Sequence, residues 1–230
     1  GNAFYLEELI RAVAEGDGEA LPVSVIGMVQ ARLASFDLDA RRLLRAGAVF
    51  GEVFWEGGVR ALLGDDAGAF DTREWLNDLV RREVVTAHPT SRVLSDREYK
   101  FRHALVRDAA YDMLTAEDRV LGHRLAGVWL EAVGGTDPLV LAGHFERGDD
   151  RERAVYWFVC ATEEALESND LVAVGERGAR AVAAGAAGAV LGAVRTMQSI
   201  AAYWRSDYAL ARDTGREALP LVTAGSADWF

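Results

Sequence analysis

Residues 99–111, YKFRHALVRDAAY, decide how the first half of this chain folds. Polar and apolar side chains alternate from Tyr99 to Arg102, which is typical of a strand, and helical spacing of apolar residues begins at His103. The histidine therefore lies where a strand passes into a helix, beside unpaired backbone N–H groups and the positive end of the helix dipole, which attract anions. A histidine here can donate a hydrogen bond to a phosphate. It can also cap its own helix or satisfy a buried carbonyl, and by position alone this structural role is favoured.

The residues before this stretch predict several helices and a β-hairpin. Helices are predicted to begin at Pro22, after Asp37 and at Asp71, and to run from Trp55 to Leu63. Short β-type runs at 84–86 and 93–94 precede the strand at 99–102. Several helices, a small β-hairpin and a helix that leaves its second strand describe a winged-helix domain over residues 20–114.

The residues after Leu114 predict helices to the end of the chain, with an internal repeat. An offset of 37 residues relates Asp170 to Asp207, Gly178 to Gly215, and Ala181 to Ala218. Helical hairpins of the tetratricopeptide class repeat at about 34 residues and keep small residues where helices approach closely. We therefore expect tetratricopeptide-like repeats, an α-solenoid, over residues 115–230, although alanine-rich sequence also aligns with itself by chance. The expected fold class is mainly α.

Charge and residue counts exclude several functions. Asp and Glu outnumber Lys and Arg by 36 to 25, a net charge of -11, which opposes binding to nucleic-acid phosphates. Lys100 is the one lysine and no G-x-x-x-x-G-K-[ST] motif surrounds it, so the chain by itself is not expected to be a P-loop ATPase or a protein kinase. Cys160 is the one cysteine, and His88, His123 and His144 are far apart, so neither a disulfide framework nor a metal site is expected. No catalytic group of nucleophile and base is apparent.

No targeting or membrane-spanning segment is expected. The longest uncharged stretch, residues 181–194, is shorter than the roughly 20 apolar residues that a bilayer requires. No signal-peptide pattern is present, so we expect a cytoplasmic protein. The chain begins at Gly1 and stops in mid-pattern at Phe230, which we interpret as a piece of a longer protein.

Residues 103–108, HALVRD, resemble the histidine-centred element of the winged-helix domain in STAND ATPases. That class includes apoptosis scaffolds, plant resistance proteins and bacterial multidomain regulators, and the form FRH at residues 101–103 is usual in its bacterial members. Residues 1–9, GNAFYLEEL, are similar to the G-N-P-F-x-L-E-E-L stretch that ends the nucleotide-binding region of the class. The resemblance extends over nearly the whole chain through shorter matches at residues 21–22, 31–33, 40–44, 48–51 and 144–149.

The resemblance implies a regulatory and interaction fragment of a bacterial signal-transduction ATPase. Residues 1–19 would be the C-terminal helix of the upstream nucleotide-binding module. His103 would contact the β-phosphate of ADP bound to that module and hold a closed, inactive state that ATP releases. The family proline that packs near the adenine is replaced here by Ala3, a departure from the pattern.

The same resemblance implies that ADP or ATP is the cofactor of the full-length parent and that this fragment is not itself an enzyme. The parent would be an ATPase, and its relatives are often fused to a serine/threonine protein kinase, an adenylate cyclase or a DNA-binding module. The partners of the fragment would be the upstream module of the same chain and a protein or peptide on the repeats, with no membrane.

Two alternatives stay open from the residues alone. In the first, the chain is a stand-alone helical-repeat module with a purely structural winged helix. It would bind a protein or peptide on the concave face near Tyr156, Trp157, Tyr203 and Trp204. Such aromatic residues are more often part of the core of a repeat. In the second, residues 20–114 bind DNA as a transcription regulator, which their nearly neutral charge opposes.

Overall fold

A computed structural model describes residues 25–64 and 71–223 of the chain. Helices account for 71% of these residues, in eleven helices, and the remaining regular structure is one antiparallel sheet of three strands, so the expected mainly α class is confirmed. Contacts divide the chain into unit 1, Gly1–Trp129, and unit 2, Leu130–Phe230. The expected helix at residues 1–19 lies outside the described residues. Among the described helices, none combines the length and apolar character that crossing a membrane requires.

Unit 1 contains the first helices of the described chain. They are α1 (Val25–Ser35), α2 (Leu38–Phe50), α3 (Glu56–Leu63), α4 (Thr72–Arg81), α5 (Ala104–Asp112) and most of α6 (Ala116–Val133). Asp71 caps α4 by accepting a hydrogen bond from the Glu74 amide (3.0 Å), as its sequence pattern predicts. α2 begins after Asp37, as predicted, but the Asp37 side chain makes no capping bond.

The sheet contains one strand that the sequence did not predict. Its strands are β1 (Val53–Trp55), β2 (Val85–Ala87) and β3 (Glu98–Phe101), in the order β1-β3-β2. The strands expected near 84–86 and 99–102 are confirmed as β2 and β3, which pair antiparallel. The predicted helix from Trp55 to Leu63 is wrong at its first residue, because Trp55 pairs with Glu98 in the sheet.

The loop between β2 and β3 contains no strand, so the β-type prediction for residues 93–94 is wrong. Leu94 is 95% exposed in this loop. Hydrogen bonds to side-chain carboxylates, rather than backbone hydrogen bonds between strands, hold the loop in place. Asp96 accepts from the Gly57 amide (2.9 Å) at the start of α3, and the buried Glu98 accepts from the Trp55 indole and the Arg92 guanidinium, both at 3.2 Å.

Aromatic side chains of the sheet form the centre of the unit 1 core. Phe54 of β1 is fully buried, and its ring lies 5.8 Å from that of Tyr99 and 5.1 Å from that of Phe101, both on β3. Leucines of α2 and α4 that the helical spacing places inward complete this core, namely Leu43, Leu44, Leu76 and Leu79. Apolar burial of one face of β3, through Tyr99 and Phe101, therefore fixes the strand that leads to His103.

Unit 2 is a series of helices, each packed against its neighbours in the chain. They are α7 (Pro138–Arg147), α8 (Arg151–Glu167), α9 (Leu171–Ala184), α10 (Gly188–Trp204) and α11 (Tyr208–Ala218). α8 also contacts α10, two helices further along. The helices of unit 2 therefore contact mainly helices that are near in the sequence.

The same turn joins three of the four pairs of consecutive helices from α7 to α11, all except α9 and α10. An aspartate caps the second helix of each pair by accepting from the amide three residues on, at Asp150, Asp170 and Asp207. The residue before each cap has a left-handed backbone, at Asp149 (φ 52°), Asn169 (φ 59°) and Ser206 (φ 64°). These polar residues tolerate that conformation and end one helix just before the next begins.

The offset of 37 residues found in the sequence relates equivalent places in the structure. Ala181 of α9 and Ala218 of α11 are both buried. A Cβ on Gly178 would lie 2.8 Å from the Gln198 amide nitrogen, and one on Gly215 would lie 3.1 Å from the Ser199 hydroxyl, so α10 approaches both glycines closely. The paired small residues therefore mark helix contacts.

Gly178→Ala is expected to lower the free energy of unfolding by about 1–2 kcal/mol, because the added methyl group would displace the buried Gln198. Gly175→Ala, one turn earlier on α9, is the matched control. A Cβ there meets no atom within 4 Å, so better helix propensity should raise the same free energy by up to about 1 kcal/mol. Urea unfolding of both variants measures the difference, and equal effects would contradict the close approach.

Acidification is expected to destabilise unit 2 through His144. Burial, with a smaller contribution from Arg147, lowers the pKa of His144 from 6.5 to about 4. The unfolded chain takes up the proton first, so stability is complete above pH 6.5 and is lost as pH falls towards 4, by about 2 kcal/mol between pH 7 and pH 5. His144→Gln should remove this part of the pH dependence in urea titrations, whereas His88→Ala, at an exposed histidine, should keep it.

Candidate functional site

His103 occupies the junction between β3 and α5, as the sequence predicts. Its backbone is extended (φ -135°, ψ 135°), and its carbonyl accepts the Val106 amide at 3.1 Å, which starts the helix. The half-buried imidazole makes no capping bond to α5, so the structural alternative in which His103 caps its own helix is wrong. The ring nitrogens therefore do not serve the N-terminal amides of this helix.

Three cations lie close to His103 in the sequence, and each is paired with a carboxylate. Lys100 lies 2.9 Å from Glu52, Arg102 lies 2.9 Å from Glu83, and Arg107 contacts Asp108. The hydrogen bond and positive charge of Lys100 lower the pKa of the Glu52 carboxyl, and the charge of Arg107 acts in the same direction. These side chains are partly exposed, so solvent weakens each pair and an incoming anion can compete with the carboxylates.

The C-terminal end of α5 contacts α6 through side chains that the sequence analysis did not predict to meet. The Tyr111 hydroxyl and the His123 Nε2 are 2.8 Å apart, and His123 is 4% exposed. The Arg119 guanidinium lies 4.6 Å from the centre of the Tyr111 ring and 3.2 Å from the Asp112 carboxylate. Because β3 holds one end of α5 and this cluster the other, a displacement of His103 along the helix axis would strain both.

The described part of the chain offers no cluster of metal ligands, and its cysteine is a poor nucleophile. No cluster of three or more His, Cys, Asp or Glu side chains with the geometry of a metal site occurs within residues 25–64 and 71–223. His88 is exposed, whereas His123 and His144 are buried in different units. Burial raises the pKa of the Cys160 thiol, which disfavours the thiolate that a nucleophile or metal ligand requires.

The aromatic residues predicted to bind a partner are largely exposed. Tyr156 is 59% exposed, Tyr203 58% and Trp204 68%, so the alternative that they form the repeat core is wrong for these three. Trp157 is half-buried, and its indole N–H donates to the Glu131 carboxylate at 2.9 Å. Trp157 therefore has a structural partner inside unit 2.

These aromatic residues belong to two separate places. Tyr156 lines a groove of about 560 Å³ beside the start of α10. Tyr203 contacts Trp204 and Tyr208 at the turn between α10 and α11, with ring centres 5.9 and 5.8 Å apart. No ring contact joins the two places within the described chain.

Ala3, the remaining predicted site residue, lies outside the described residues. No protein-family model, curated protein or solved structure matches the chain.

Tyr111→Phe is expected to lower the free energy of unfolding by about 1–2 kcal/mol, because it leaves a nitrogen of the buried His123 without the hydroxyl. The ring and its contact with Arg119 would be kept. Tyr208→Phe removes a hydroxyl from a tyrosine that is 63% exposed and should change stability by far less. Equal urea midpoints for both variants would show that the Tyr111–His123 bond contributes nothing.

Proposed function

We propose that this chain is the regulatory and interaction segment of a bacterial signal-transducing ATPase of the STAND class. In this proposal unit 1 is a winged helix that senses ADP or ATP on an upstream P-loop module, and unit 2 is a tetratricopeptide-like stack that binds a partner. The segment is not itself an enzyme, and ATP hydrolysis belongs to the upstream module of a cytoplasmic parent. Some relatives carry a serine/threonine kinase, which makes a kinase one candidate for the output of the parent.

The placement of His103 carries the proposal. The family element FRHALVRD falls across the end of β3 and the start of α5, so its histidine stands at the N-terminus of a helix whose amides it does not cap. An imidazole there can donate to a phosphate oxygen, and the helix terminus adds favourable charge. The neighbouring ion pairs of Lys100 and Arg102 supply cations that can exchange partners with that oxygen.

The rest of the fold supports the finer architecture of the proposal. β2 and β3 are consecutive strands joined by a loop, and α1 and α2 both pack on α5, as in a helical domain with one wing. In unit 2, repeated turns and small residues at an offset of 37 support helical-hairpin repeats.

One hydrogen bond of this type is sufficient for a switch. A hydrogen bond to a charged group contributes about 1.5–3 kcal/mol. If the bond forms in one state only, it changes the ratio of closed to open states about ten- to a hundredfold. In the closed state His103 would donate a hydrogen bond to bound ADP. Exchange of ADP for ATP would remove this bond and shift the equilibrium towards the open state.

Binding of DNA by unit 1 is not favoured. Arg42 lies 3.8 Å from Asp39, and both Arg81 and Arg82 are paired with Asp78. Cations already neutralised in this way supply little of the positive field that phosphate backbones require.

A helical-repeat module with a purely structural unit 1 is the second candidate. The pairing of Lys100, Arg102 and Arg107 with carboxylates favours it, since a structural domain needs no accessible cation near His103. The two candidates differ in what His103 does, and one substitution separates them.

His103→Ala in the protein expressed from the full natural reading frame is expected to reduce the affinity for ADP about tenfold or more, because the bond to the β-phosphate is lost. ADP released from the purified protein, and its dissociation constant, measure the effect. His103→Gln should restore part of it, since its amide can donate. His88→Ala is the matched control at an exposed histidine of the same unit. Unchanged ADP binding by the folded His103→Ala protein, or a reading frame without a P-loop, would leave only the second candidate.

A further inference from the structure

A pocket in unit 1 is bounded by α2, the end of α3 and α6, and His103 is not among the residues that line it. Its volume of about 180 Å³ is somewhat larger than the roughly 150 Å³ of an apolar protein cavity that takes up benzene. Leu121 is 54% exposed, so water still reaches apolar surface there. Five leucines line the pocket, namely Leu62, Leu63, Leu114, Leu121 and Leu125. The pocket therefore suits a short apolar group.

Arg45 of α2 brings an unpaired positive charge to this pocket. Its side chain is half-buried and forms no hydrogen bond or ion pair with the described residues. Its Nε is enclosed by protein and has no acceptor, so a ligand in the pocket would meet the terminal amino groups of the guanidinium. A partly buried arginine has lost some of its hydration, and an anion therefore gains more from it than from an arginine in open water.

Arg41 repeats these properties one turn earlier on α2. It too is half-buried, and its buried Nε has no acceptor in the described part of the chain. Residues four apart lie on one face of a helix, and like charges at this spacing destabilise it, so a bound anion would relieve their repulsion. In a chain of net charge -11, two half-buried guanidinium groups without an acidic partner are an unusual local excess of positive charge.

The acidic side chains near the pocket do not cancel this excess. Asp118 is the one acid among the described residues that line it, and it is exposed, so water screens its charge. Arg42 also lines the pocket and lies 3.8 Å from Asp39, which offsets its charge. Arg41 and Arg45 then face Asp118 alone. The balance at the pocket therefore favours an anion.

We propose that this pocket binds a small carboxylate with a short apolar body. The carboxylate would accept hydrogen bonds from Arg45, and the apolar body would contact the leucines. A guanidinium group presents two parallel N–H donors, which match the two oxygens of one carboxylate. A single unpaired guanidinium in the lining suits this single negative charge better than a phosphate dianion. The inference goes beyond the proposed nucleotide switch and does not depend on the role of His103.

An NMR titration of the isotope-labelled 230-residue chain with hexanoate tests the proposal. We expect shifts of the amides of Ala46, Val49 and Gly122, which line the pocket. Hexanamide lacks the charge and acetate lacks the apolar body, so each should bind at least about tenfold more weakly than hexanoate. Equal binding of hexanamide, or shifts confined to residues outside the pocket, would overturn the proposal. Tighter binding of hexyl phosphate would overturn the choice of a carboxylate.

Arg45→Gln and Arg205→Gln form a matched pair, because each removes one positive charge and Arg205 is exposed in unit 2. Arg45→Gln is expected to weaken hexanoate binding about tenfold or more, since the charge-assisted bonds are lost. It breaks no side-chain bond to a described residue, so the fold should persist. Arg205→Gln should leave the dissociation constant unchanged. An equal effect of the two variants would overturn the assignment to Arg45.

Asp118→Asn tests the same placement with the opposite sign. Removal of the acid from the lining should strengthen hexanoate binding about twofold or more at low salt, because its repulsion of the carboxylate is lost. Glu117→Gln, at an exposed acid that does not line the pocket, should change the binding less. Unchanged or weaker binding by Asp118→Asn would contradict a carboxylate in this pocket.

His103→Ala separates this proposal from the nucleotide switch. The variant should bind hexanoate as the unchanged protein does, because His103 does not line the pocket. Hexanoate binding without an ADP effect of His103 would refute the switch alone. An ADP effect without hexanoate binding would refute the pocket alone.

Discussion

The central strand β3 is the constraint on which unit 1 depends. It is hydrogen-bonded to β1 on one edge and to β2 on the other, and the buried rings of Tyr99 and Phe101 pack against Phe54. A strand held by both edges and one aromatic face cannot slip by one residue without turning its core side chains outwards. Because α5 begins three residues after Phe101, the same constraint fixes His103 in space.

Unit 2 has no central strand like β3, and its helices are instead positioned by a turn that recurs along the chain. A left-handed polar residue followed by a capping aspartate, at Asn169–Asp170 and again at Ser206–Asp207, leaves only three residues between one helix and the next. Short turns force consecutive helices into contact, and Gly178 and Gly215 let them approach α10 closely. Unit 2 therefore relies mainly on contacts between helices that are near in the sequence, whereas the core of unit 1 brings together Phe54 and Phe101, which are distant in the sequence.

Features that depend on residues close together in the sequence were predicted, and features that depend on distant residues were not. Helices, caps and the offset of 37 residues are local patterns, and they were predicted. β1 was missed because three residues are too few to show a period, and Val53–Trp55 become a strand only by pairing with β3. The strand expected at residues 93–94 failed for the converse reason, since its β-type residues have no partner edge. The change of period at residue 103 placed His103 correctly between strand and helix, whereas no pattern connects Tyr111 to His123.

The offset of 37 residues does not relate Tyr156 to Tyr203. Two residues on the same face of repeated helices would be separated by this offset. The position 37 residues after Tyr156 is Ala193, not Tyr203. The position 37 residues before Tyr203 is Leu166, which is half-buried where Tyr203 is 58% exposed. Tyr156 and Tyr203 therefore lie on different faces of their helices, although each is followed by a tryptophan in the sequence. Tyr156 lies with Val155, Val159 and Val190 in one groove, whereas Tyr203 contacts Trp204 and Tyr208 at the turn between α10 and α11.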